Sequence, residues 1–196
     1  MKGPILQTEK AEGVPMFADA AGLNPSAGLK KLFLEELKDI YWAEKALTGI
    51  LPKLVDKTSS EELADGILDQ LGQTLNHITR LERIFSSIGI KAEAAKCETM
   101  SALINDAEII ISNTLEGQHR DIGILAIVKR IEYYEIASYG ILCSFSKTLG
   151  EIEALSLLED TLQEEREAYK AMAMIGRVLM NASSEEQDSS YLKQSA

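Results

Sequence analysis

Histidine, cysteine and proline are scarce in this chain of 196 residues: it has 2 His, 2 Cys and 4 Pro. Two cysteines cannot build a disulfide framework. Cys143 lies in a strongly apolar stretch, so Cys97 and Cys143 are read as reduced thiols and neither as a nucleophile. Reduced thiols suit the cytoplasm. No uninterrupted apolar run is long enough to span a bilayer, and the first 25 residues lack the basic start and apolar middle of a signal peptide, so a cytoplasmic location is expected. Clustered lysine and arginine are also missing. A net charge of -11 with nothing to offset it locally repels phosphate backbones and anionic headgroups, which argues against nucleic-acid and membrane-surface binding. No segment alternates with period two over a useful length, so no sheet is expected.

What is present is helical periodicity in a chain long enough for one buried core. Residues 1–25 carry Pro4, Pro15 and several glycines without a sustained pattern and are read as an irregular arm. Asn24 followed by Pro25 resembles an N-cap with proline at the first helical position. The stripe Leu29, Phe33, Leu37, Ile40, Leu47, Leu51, Leu54 then marks a first helix, which Pro52 should kink near its end. Ser59 and Glu62 form a candidate capping box for a second helix, whose stripe is Leu63, Ile67, Leu71, Thr74, Ile78, Leu81, Phe85, Ile88 and whose stop is Gly89. A shorter amphipathic helix, MSALINDAEIIISNTL, lies in the connection that follows. Asp121 can cap a third main helix, apolar on most of its circumference, which Gly150 ends. A fourth runs from about Glu151 to Met180, and the polar residues 181–196 are expected to be disordered. Two hairpins joined by one long connection predict an all-α, ferritin-like four-helix bundle at 26–180, its single crossover containing an extra short helix.

Four carboxylates interrupt the apolar stripes. Glu44 lies between Ile40 and Leu47; Glu132 and Glu135 fall in the series Leu125, Val128, Tyr139, Leu142; Glu165 follows Leu158 and Leu162, while Glu164 is turned about 100° toward the rim. Four acidic groups facing one interior need a cation, a proton or a hydrogen-bond network. Bundles of this type place Glu on two helices and Glu-x-x-His on two others to hold two iron or manganese ions. Here the pattern is incomplete: Ala168 stands three residues after Glu165, and the second helix offers only Gln70, Gln73 and His77. A blander explanation competes. Arg80, Lys129, Arg130 and Arg166 could pair with the glutamates and fix helix register without metal. His77 alone is more often a satisfied or half-exposed histidine than a ligand, and His119 sits at a loop boundary with no partner. Tyr133, Tyr134, Tyr139 and Tyr169 are most simply core aromatics whose hydroxyls reach the glutamates. Trp42 reads as packing or dimer surface.

The segments LFLEELKDIYWAEKALTGILPKL, QTLNHITRLERIFSSIGIKAEAAKCETM, IEYYEIASYGIL and LLEDTLQEEREAYKAM occur in the order found in the YciE/YciF-type ferritin-like family, the former domain of unknown function 892, which residues 27 to 180 resemble. The resemblance implies a dimeric, ferritin-like bundle linked to bacterial stress responses, with a di-metal centre and no settled activity. It carries the family's glutamates onto Glu44, Glu132 and Glu135, and its acidic pair onto Glu164 and Glu165. It also implies losses: Gln70 stands in place of a histidine, Gly72 and Gln73 in place of an acidic pair, Tyr133 in place of histidine and Tyr169 in place of aspartate. Amides and phenols are poor ligands for divalent ions. Metal candidates are therefore Glu44, Glu132, Glu135 and Glu165, with Gln70, Gln73, His77, Glu164 and Tyr169 as weaker ones. The expected function is that of a stress-associated homodimer whose centre is partly or wholly degraded and holds iron or manganese weakly, as one ion instead of two, or not at all. An active di-iron or di-manganese oxidase or peroxide scavenger is the alternative.

Overall fold

The computed structural model describes the backbone of residues 25–194 and the side chains of 26–181. The predicted arm, apart from Pro25, and the capping role given to Asn24 lie outside the described residues. Five helices follow one another: α1 (Pro25–Lys57), α2 (Glu61–Ser87), α3 (Glu98–Asn113), α4 (Gln118–Leu149) and α5 (Ile152–Gln194). There is no strand among the described residues, as the missing period-two pattern requires. Among the described residues no helix is long and apolar enough to cross a membrane.

Hairpins α1/α2 and α4/α5 pack side by side, α2 on α5 and α1 on α4, while α3 lies across α1 and α4. Ion pairs set the direction of α5 against α2. Arg83 meets Glu153 at one end, Arg80 meets Glu164 further along, and Gly66 approaches Met172 and Ile175 beyond that, so the two helices are antiparallel. Leu37, Leu47, Leu54, Leu63, Ile67, Leu81, Ile124, Ile131, Leu142 and Leu158 are fully buried where they meet. Each contributes on the order of 2 kcal/mol of apolar transfer, before the entropy of ordering is subtracted. The α4–α5 turn is short because Gly150 adopts φ 75°, which lets Glu151 N donate to Ser146 O at 3.0 Å and close the helix end.

Several local expectations need correction. The α2 cap is Ser60, not Ser59: its hydroxyl accepts from Leu63 N at 3.2 Å and donates to Glu62 at 3.0 Å. Asp121 does not cap α4, which starts three residues earlier with Gly117 at its N-cap. Instead its buried Oδ1 accepts from Thr58 Oγ1 and Ser59 N, both at 2.8 Å, and ties down the α1–α2 turn. α5 continues past Met180 to Gln194, through the stretch expected to be disordered, because residues 181–194 contain neither glycine nor proline to stop it.

Candidate metal centre

The buried face of α2 differs from the predicted stripe. It runs Leu63, Ile67, Gln70, Thr74, His77, Leu81, Ile84, a strict alternation of three and four residues, whereas Leu71 and Ile78 are only half-buried. Selecting the apolar residue at each ambiguous step displaces the stripe by one position and moves Gln70 and His77 out of the core. His77 is 1% exposed, so of the two bland readings the half-exposed one does not hold. The signal was available: continuing the three-four spacing from Leu63 and Ile67 lands on it.

Around His77 the predicted carboxylates converge. Its Nδ1 lies 3.2 Å from Glu44 Oε1 and 3.1 Å from Glu165 Oε1, off the line of a good hydrogen bond to either. Its Nε2 is 2.9 Å from Glu164 Oε2. Arg80 grips Glu164 with both terminal nitrogens, at 2.5 and 2.6 Å. Tyr139 donates its hydroxyl to Glu44 Oε1 at 2.5 Å. Glu44, His77 and Glu165 thus offer one nitrogen and two carboxylate oxygens within 4.8 Å of one another, drawn from α1, α2 and α5. Glu132 and Glu135, on α4, are buried beside this trio but outside the 4.8 Å group.

Charge distribution follows from burial. Burial alone would lower the His77 pKa, but the Glu165 and Glu44 carboxylates outweigh it and push it up to about 10. Glu132 is pushed up to about 8, first by burial and then by Glu165, with Lys129 opposing. Burial, followed by Glu165, Glu44 and Glu132, holds Glu135 well above the usual carboxylate range. Glu165 is also raised by burial, with His77 pulling the other way. Glu164 is lowered, chiefly by Arg80.

The competing explanation through lysine and arginine accounts for one contact. Arg80 pairs with Glu164, the rim residue, while Arg130 and Arg166 are exposed and Lys129 sits over the Tyr169 ring at 4.9 Å. Only one of the four tyrosines reaches a glutamate, which is Tyr139. Tyr133 is exposed and packs on Tyr169 with centroids 4.3 Å apart, and Tyr134 donates to Asp39 at 3.1 Å and lies 3.0 Å from Cys97 Sγ. Tyr169 is thereby turned toward Tyr133 and Lys129. Gln70 and Gln73 line a cleft next to the trio.

Whether these residues suit a metal ion is tested by their unpaired atoms. Glu44 Oε2, Glu165 Oε2, His77 Nδ1, both Glu132 oxygens and Glu135 Oε1 are buried without a hydrogen-bond partner among the described residues. Orphaned buried acceptors are costly, and a shared cation would relieve them. The histidine is also oriented as a ligand's would be: one ring nitrogen faces the carboxylates and the other is held by an outer carboxylate, Glu164, which is fixed in turn by Arg80. The residues fit.

Comparisons with known proteins bear on the family and the fold. Protein YciF of Escherichia coli (strain K12) is 37% identical over 139 residues, 70% of this chain and 84% of YciF. The crystal structure of YciF, described as an E. coli stress protein, superposes with a TM-score of 0.76 at 34% identity, covering 78% of this chain and 97% of that one. YcfI from Rhodopseudomonas palustris gives 0.72 at 30% identity, over 74% and 92%. A protein from Xanthomonas campestris pv. campestris shares the fold at a TM-score of 0.65 and 19% identity, over 82% and 99%. The family model described as Domain of unknown function (DUF892) matches residues 28–185, and the chain belongs to that family.

Proposed function

We propose that this chain is a stress-associated, ferritin-like protein of the cytoplasm that holds one divalent iron or manganese ion between Glu44, His77 and Glu165. The centre is the remnant of a two-ion ligand set. One observation carries the reading: His77 Nδ1 stands between two buried carboxylates at 3.2 and 3.1 Å while its Nε2 is braced by Glu164. Two anionic oxygens and one imidazole suit these borderline-hard ions. The stress association follows the description of YciF as a stress protein, and two free cysteines suit a reducing compartment.

When bound, such an ion supplies Lewis-acid and one-electron redox chemistry. The protein's own part is to aim His77 Nδ1 at the two carboxylates by letting its Nε2–H donate to Glu164, to orient Glu44 through the Tyr139 hydroxyl, and to exclude water with the surrounding core. Glu132 and Glu135 remain as nearby carboxyls able to hold or release a proton. The second ion is disfavoured because α2 presents the neutral amides Gln70 and Gln73, and α5 presents Ala168, where further ligands would be needed.

Elemental analysis of protein purified without chelator is the test. One equivalent of iron or manganese per chain, lost in His77→Ala and retained in Glu135→Gln, is the expected outcome. Two equivalents, both lost in Glu135→Ala, would establish the alternative di-metal oxidase or peroxide scavenger. A metal-free protein whose melting temperature does not rise when iron or manganese is added would refute both, since a ligand of the native state must stabilise it.

A further inference from the structure

We propose that the cleft between α2 and α5, floored by Gln70 and Gln73 and rimmed by Asp69 and Glu167, is the inlet through which a hydrated divalent cation reaches the buried carboxylates. The inference rests on the metal-binding reading and adds a route to it. Glu44, His77 and Glu165 have essentially no contact with solvent, so an ion must be led to them. In one direction along the α2–α5 seam the way is shut by the two-pronged contact of Arg80 with Glu164. In the other direction the seam opens.

Gln73 and Gln70 precede His77 by four and seven residues, which puts them on the His77 face of α2. Because α5 runs antiparallel, the residues opposite are those after Glu165, and they are small: Ala168 and Ala171 face the amides, and Gly66 stands at the far end. Their size leaves a hollow of ≈ 200 Å³. That is room for several waters at roughly 30 Å³ each, enough for a partly hydrated ion.

The floor carries the signature of a polar visitor. Gln70 is only 3% exposed, and neither its Oε1 nor its Nε2 has a hydrogen-bond partner among the described residues; nor has Gln73 Oε1. An amide left unpaired in a dry interior is costly, whereas the shell of a passing hydrated ion offers donors to the oxygens and an acceptor to the amide NH2. Neutral amide oxygens attract a hard cation less than carboxylates do, which is the right order for transit: a shallow stop before a deep one. At the rim, Asp69 and Glu167 are exposed carboxylates and the lining contains no lysine or arginine, so the mouth favours cations and rejects anions. The two larger hollows flanking α5, lined by residues such as Met174, Val178, Leu125 and Ala126, have apolar walls and lack this character.

Stopped-flow mixing of the full chain with Co2+, with free cobalt read by a fluorescent indicator, separates route from destination. An Asp69→Asn, Glu167→Gln double variant should load about tenfold more slowly at low ionic strength, the difference shrinking as salt is added. Ala168→Leu should slow loading at every salt concentration. Both should reach the wild-type stoichiometry and equilibrium affinity, and unchanged melting temperatures of their metal-free forms would show that they fold. If both variants load at the wild-type rate, the inlet is refuted and the centre stands. If either loses equilibrium capacity, the cleft is the destination and not the path. If the wild-type chain takes up no cobalt, the centre itself is refuted and the inlet falls with it.

Discussion

His77 and Glu132 pull stability in different pH windows. With a folded pKa of about 10 against 6.5 unfolded, the His77 imidazolium contributes fully below about pH 6.5, and its contribution is lost as the pH rises through 10. Glu132, raised from 4.5 to about 8, keeps its proton in the folded state over a range where the unfolded chain has released it, so stability falls as the pH climbs from 4.5 to 8. Glu135 and Glu165 are shifted in the same direction. Between pH 5.5 and 8 the raised carboxyls and the raised histidine act in the same direction, and the metal-free chain should therefore melt at a lower temperature at pH 8 than at pH 5.5. Glu132→Gln should flatten that dependence and raise the melting point at pH 8, by about 2–4 °C for each kcal/mol relieved. Thermal melts in chelator at the two pH values check this, and a steeper profile in Glu132→Gln would contradict the assignment. At this scale the sequence was legible wherever an acidic residue broke an otherwise apolar stripe. It misled where the residue was neutral or ambivalent: Gln70 and His77 sit in the core although each has a more apolar neighbour, Leu71 or Ile78, that the eye prefers.

Among the elements, number, order and topology could be read directly, because 3.6-residue periodicity is long-lived in helices of this length and Gly89 and Gly150 mark two of their ends. Caps could not, since a cap is decided by where a side chain finds a partner in three dimensions. Asp121 is the instructive example. Its position in the chain suits an N-cap, yet its carboxylate serves a turn more than 60 residues away, accepting from Thr58 and Ser59. An Asp121→Ala substitution removes the acceptor of the Ser59 amide and the Thr58 hydroxyl at a half-exposed turn, and should cost about 1.5–3 kcal/mol, the range for hydrogen bonds to a charged group. Asp121→Asn keeps an acceptor oxygen and should cost less than half as much. Denaturant unfolding of the two variants decides the matter. Equal losses would mean that the charge, and not the acceptor geometry, holds the α1–α2 turn.

For the whole molecule the open quantity is how many chains associate. A storage shell needs several distinct faces of each subunit to be sticky, whereas a two-fold dimer needs one self-complementary patch. The large apolar side chains left exposed on the bundle's α2 and α5 are Leu68, Leu75, Ile152, Met174, Val178 and Met180, on two helices that pack against each other. Elsewhere the exposed apolar residues are scattered singly, and a net charge of -11 per chain opposes crowding many copies together. We therefore propose that two chains associate through the apolar surface that Met174 and Val178 form on α5 beside the start of α2, clear of the cleft rimmed by Asp69 and Glu167. Light scattering should give twice the chain mass of 21.5 kDa. Replacing Met174 and Val178 together by glutamate puts two new charges into that surface without touching the buried centre, and should return the mass of a single chain at an unchanged metal content. A particle of shell size in the wild type, or a dimer that survives both substitutions, would place the contact on another face.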